Sequence, residues 1–102
     1  MSENKHPKFP SVDEVLKEEY LKPYKMTVDF LANSIGVDKR LIQDLLDGKK
    51  SMTVELSIRL GKFLGLPYMY FINIQNEFDL LNALEKNKEI YKKIIPFNTA
   101  LL

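Results

Sequence analysis

The stretch TVDFLANSIGVDKRLIQDLLDGKKSMT, from Thr27 to Thr53, leaves this chain few ways to fold. Leu31, Ala32 and Ile35 make one apolar face that Thr27 can cap and that ends at Gly36. Glycine enters the left-handed region without steric cost, so Gly36 can close one helix and let Val37 drop inward before Asp38 caps the next. In the second helix Ile42, Leu45 and Leu46 form the inward stripe and Gly48 ends it, with Lys39, Arg40, Gln43, Asp44 and Asp47 left outside. Two short helices joined by a few residues containing glycine have the geometry of a helix-turn-helix, whose second helix enters a DNA major groove. A helical hairpin with a solvated charged face satisfies the same periodicity.

The rest of the chain bounds that reading. At 102 residues and 45% hydrophobic content it is one domain's worth of ordinary globular sequence. Cysteine is absent and His6 is the one histidine, which argues against disulfides, thiolate metal sites and histidine-based catalysis. Asp29 with Asp38, and Glu18 with Glu19, read as surface carboxylates, without a glycine-rich phosphate loop or metal-ligand spacing. A binding protein is therefore expected, with no catalytic residue, cofactor, metal or small-molecule substrate. No apolar run approaches the ~18 residues of a membrane span, and MSENKHPKFP has no signal core, so the expected location is cytoplasmic. A net charge of +1 is weak for a nucleic-acid partner. Between Gly36 and Lys62 six basic residues (Lys39, Arg40, Lys49, Lys50, Arg59, Lys62) nevertheless face four acidic ones. A second cluster, Lys86, Lys88, Lys92 and Lys93, reads more readily as a solubilising tail than as a phosphate contact.

In chain order, residues 1–10 read as a flexible arm, residues 11–87 as the helix-turn-helix domain with its dimerisation helix, and residues 88–102 as a C-terminal tail. Ser11 with Glu14 is a capping box for a first helix whose stripe is Val12, Val15, Leu16, Tyr20 and Leu21, stopped at Pro23. Thr53 can cap a fourth helix with Leu56, Leu60, Phe63 and Leu64 on its core side. The amides at its start, with Lys49, Lys50 and Ser51, make a phosphate clamp, although turn chemistry explains the same residues. Pro67 suits the first position of a fifth helix running to about Asn87. That helix is too apolar for one face: Phe71, Ile74, Phe78 and Leu81 are expected in the core, leaving Tyr70, Asn73, Leu80 and Leu84 for a subunit contact. For EIYKKIIPFNTALL a short helix and a pairing strand both fit.

Several of these stretches together resemble the HigA-type antitoxins, VapI-like regulators of the Xre helix-turn-helix family. The resemblance covers about residues 6–85. It is carried by His6-Pro7, EVLKEEYLKP, IGV, DGKKSMT and IRLGKFLG, and by Asn73, Ile74, Gln75, Phe78, Asp79 and Leu80, which match an N-L-Q-x-x-[YF]-D-L signature on the fifth helix. It implies an all-α, five-helix lambda-repressor-like (Xre/Cro) domain with a C-terminal extension. It also implies a homodimer that binds double-stranded operator DNA, represses its own toxin–antitoxin operon and neutralises a HigB-like toxin that cuts messenger RNA. Carried over by position, Lys39, Arg40, Gln43 and Asp44 would read bases, and Thr27, Lys49, Lys50, Ser51 and Thr53 would hold the DNA backbone. The chain departs from the family at Val28, usually a glutamine, at Leu41, often polar or basic, and at Lys25, usually a glycine. Two other readings remain: a stand-alone Xre-family regulator without a toxin, and an interaction module whose recognition helix has lost its DNA role. For a toxin, the arm with helix one and the C-terminal segment are the two candidate surfaces.

Overall fold

The computed structural model describes residues 9–97; most of the N-terminal arm, with His6-Pro7, and the last residues of the tail lie outside them. Six α-helices follow one another: α1 (Val12–Leu16), α2 (Val28–Ile35), α3 (Lys39–Leu46), α4 (Val54–Leu64), α5 (Tyr70–Lys86) and α6 (Lys88–Lys92). The chain is all-α among the described residues, and none of its helices is long and apolar enough to cross a membrane.

Helix α1 begins at the capping box: the Ser11 amide donates to Glu14 Oε1 at 3.0 Å and the Glu14 amide to the Ser11 hydroxyl at 3.4 Å. Beyond Leu16 the helix widens into a π turn, Lys17–Leu21, with the Lys22 amide on the Lys17 carbonyl at 2.9 Å. Leu16 and Leu21 are five residues apart, about 140° around an ordinary helix, yet both are buried. The i→i+5 turn brings the two to one side, a departure from the regular helix expected here.

Thr27, Asp38 and Thr53 cap α2, α3 and α4, accepting from the amides of Phe30 (3.0 Å), Arg40 (2.8 Å) and Leu56 (3.1 Å). Gly36 closes α2 at φ 74°, and the Val37 amide returns to the Ala32 carbonyl at 3.0 Å. The core gathers Val12, Val15 and Leu16 of α1, Leu31, Ala32 and Ile35 of α2, Ile42, Leu45 and Leu46 of α3, Leu56 and Leu60 of α4, and the start of α5.

Three expectations change. Phe63 is 39% exposed and lies edge-on to Phe30, with ring centroids 6.1 Å apart, at the rim of the core. Its inward place on α4 goes to small residues, because Ser57 and Gly61 are buried where residues 66–72 cross the helix. A Cβ on Gly61 would stand 2.9 Å from the Pro67 carbonyl oxygen, so only glycine allows that approach. Pro67 starts a single turn closed by the Tyr70 amide at 3.0 Å, and α5 begins at Tyr70. Of the stripe expected to be buried on α5, Phe71 is enclosed and Ile74, Phe78 and Leu81 are half-buried, while Ile72 takes the second core position. The distal part of α5 runs past the core, and the molecule measures 55 × 31 × 21 Å. The segment left open between helix and strand forms the short α6.

Candidate nucleic-acid interface

Helix α3 is amphipathic from its first turn. Ile42, Leu45 and Leu46 are buried, so the opposite face, with Lys39, Arg40, Gln43 and Asp47 exposed and Asp44 half-buried, looks outward. Together with Val28, Asp29, Asp38 and Lys49 these residues line a shallow groove of about 460 Å³ between the start of α2 and α3. The structure thus brings the four expected base-reading residues onto one open surface, with Lys49 at its edge.

The groove is electrostatically mixed. Lys39 Nζ lies 3.7 Å from Asp29 Oδ1, and both side chains are about 70% exposed (71% and 68%). An exposed pair this long contributes little, so a phosphate or a guanine edge competes for the ammonium at small cost. Gln43 Nε2 donates to Asp47 Oδ1 at 3.1 Å, which orients the amide along the helix until a better partner arrives. The Asp44 carbonyl accepts from the Lys49 amide at 2.8 Å and the Lys50 amide at 3.3 Å, folding the next loop against the end of α3.

Of the expected backbone-binding set, Lys49, Lys50 and Ser51 lie exposed on the loop between α3 and α4. Thr27 and Thr53 are exposed as well, with hydroxyls that already serve as caps of α2 and α4. The start of α2, with Val28 and Asp29, borders the groove beside α3, and a helix start suits anions, whereas Lys50 and Ser51 line a separate hollow with Ser11, Gln75 and Asp79.

Two residues that hold this surface escaped the reading of the sequence. Gln75 of α5 accepts the Met52 amide at 2.9 Å on Oε1 and donates from Nε2 to Asp79 Oδ1 at 3.0 Å. It ties the lysine loop to α5 from 23 residues away, and its presence in the NIQNEFDL segment was the available signal. Arg59, counted among the cations near the motif, is turned inward. Its Nη1 donates to the Ile35 carbonyl at 2.7 Å and the Gly36 carbonyl at 3.3 Å, and its Nε to Glu55 at 2.6 Å. It braces the turn of the motif and so adds less to the outward field than its charge suggested.

The expected subunit-contact residues share one face of α5. Asn73, Leu80 and Leu84 are exposed, the leucines at 53% and 47%, while Tyr70 is half-buried against Phe71 with ring centroids 5.0 Å apart. Partial burial, with Tyr70 as neighbour, raises the Tyr20 phenol above its usual range.

No family model matches the sequence. Individual relatives do. The chain is 31% identical over 86 residues to virulence-associated protein I of Dichelobacter nodosus, covering 84% of this chain and 79% of the relative. It is 32% identical over 91 residues to antitoxin HigA-1 of Vibrio cholerae, covering 89% and 86%. Among solved structures, a Pseudomonas aeruginosa protein in complex with its operator DNA superposes with a TM-score of 0.80 at 25% identity, over 86% of this chain and 94% of that one. With that identity to HigA-1 along most of both sequences, and with the helix-turn-helix geometry in place, the protein belongs to the HigA family of antitoxins.

Proposed function

We propose that this protein is a homodimeric antitoxin that represses its own operon by laying α3 in the major groove of a palindromic operator, and that it neutralises a HigB-like toxin that cuts messenger RNA. The observation that carries the DNA reading is the open face of α3, whose cations stand at its first turn, beside the start of α2 and Lys49, which follows α3. The relative solved in complex with its operator DNA has the same fold, which supports DNA binding by this chain. Lys39 and Arg40 reach guanine O6 and N7, Gln43 turns from Asp47 toward adenine, and Asp44 accepts from a cytosine amino group. Thr27, Lys49, Lys50, Ser51 and Thr53 set the register on phosphates and carry no sequence information. Two copies place their α3 helices on half-sites about 34–36 Å apart, so that each weak reader gains from the other. Repression and neutralisation both work by binding, with no reaction for this chain to perform.

Fluorescence anisotropy with the DNA upstream of its own gene tests this. Two lost base contacts at ~1–3 kcal/mol each mean that Lys39→Ala with Arg40→Ala weakens binding at least tenfold, and affinity falls steeply with salt. Unchanged affinity would remove α3 from the interface. Co-expression with the product of the adjacent gene tests the antitoxin half: growth is restored, whereas an adjacent gene that is harmless alone leaves a stand-alone regulator.

A further inference from the structure

The α5 contact of the dimer proposed above borders a groove, and Tyr70 and Asn73 belong to both. This groove of about 460 Å³ runs between α1 and α5 with Phe9, Val15, Ile74 and Phe78 along it and the exposed Glu19 and Glu77 beside them. The segment after α6 is apolar and bare: Ile94 is 66% exposed, Ile95 75% and Phe97 fully, and Lys92 and Lys93 precede them. Isolated apolar residues are ordinary on a surface, but a run of them on a narrow tail marks a contact.

We propose that residues 90–97 of one copy dock in the α1–α5 groove of a second copy, so that the homodimer is closed by two exchanged tails. The inference rests on the homodimer reading. Three features of the molecule select this occupant. The chemistries match, since an apolar tail led by lysines meets an apolar groove flanked by glutamates. The geometry follows from two-fold symmetry: where the Tyr70–Leu84 faces of two α5 helices pair antiparallel, the end of one α5 lies beside the start of the other, where the groove is. Area is the third feature: a stable dimer hides roughly 800 Å² per partner, and Ile94, Ile95 and Phe97 add exposed apolar surface to that of Leu80 and Leu84.

The absence of cysteine gives a clean test. A chain carrying Ile95→Cys is mixed with a chain carrying Glu77→Cys, oxidised mildly and run on a non-reducing gel. A disulfide-linked heterodimer is expected. Its absence, or an intramolecular link within a chain carrying both changes, overturns the exchange. Sedimentation of a chain ending at Lys93, checked for helicity by circular dichroism, gives the second measurement. A tenfold or greater weakening of the dimer is expected, with Lys93→Glu reproducing part of it and Glu77→Lys restoring strength when the two variants are mixed. If truncation leaves the dimer as tight while Leu80→Glu dissociates it, the tail proposal falls and the α5 dimer stands. If the full chain is itself monomeric at every concentration, the homodimer reading falls, and the exchange with it.

Discussion

At Lys25 the backbone sits at φ 53°, the one non-glycine residue in the left-handed region among those described, where the HigA resemblance leads one to expect glycine. A side chain there costs roughly 1–2 kcal/mol, and glycine gives back roughly 0.5–1 kcal/mol of that through the entropy of the unfolded chain. Lys25→Gly is therefore expected to raise stability by up to about 1 kcal/mol in urea titration. Ser57 is the opposite case. Its buried hydroxyl donates to the Tyr68 carbonyl at 2.6 Å and accepts the Ile72 amide at 3.1 Å, serving the start of α5, whose cap residue Met69 offers no side-chain bond. Ser57→Ala strands the buried Ile72 amide and the part-buried Tyr68 carbonyl and is expected to cost about 1–3 kcal/mol in the same measurement. Lys25 was legible as an oddity because the resemblance to the HigA antitoxins puts a glycine at that position. Ser57 was not, because both its partners come from a segment more than ten residues away.

The elements themselves were largely readable: Ser11, Thr27, Asp38 and Thr53 stand at the helix starts that their hydrogen bonds confirm, and Gly36 and Gly65 close α2 and α4. What periodicity misjudged was which face of α4 and which length of α5 would be covered. The stripe of leucines on α4 fixes a direction and put Phe63 inward, and the crossing of residues 66–72 over Gly61 decided otherwise. The link between α5 and the proposed DNA face also lies at this scale. Gln75 is the brace that positions Met52 and the lysine loop. Gln75→Ala is expected to lower stability by about 1 kcal/mol and to weaken operator binding across all sequences, as loss of phosphate register does, while leaving base preference intact. A binding-site selection compared with anisotropy at fixed salt separates the two effects.

For the molecule as a whole, the apolar residues of distal α5 belong to no core of their own copy, and a two-fold partner is the natural cover. Leu80→Glu with Leu84→Glu is expected to leave the fold intact by circular dichroism, turn the dimer into a monomer in sedimentation, and with it remove the gain from two half-sites in operator binding. A dimer unaffected by both charges would move the subunit contact elsewhere.

Alternation of apolar and polar residues, caps and a turn glycine are local properties, so the chain by itself determined that Thr27 to Thr53 would form two crossed helices with Lys39 and Arg40 outside. Resemblance to the HigA antitoxins added the expected partners. Tertiary structure alone decided that Arg59 would spend its charge on the carbonyls of Ile35 and Gly36, that Gln75 would hold the lysine loop, and that most of α5 would leave the core. The reason is common to all three: hydrogen-bond donors and apolar surface take the best partner within reach, and that partner is set by how helices cross, which no stretch of residues encodes by itself.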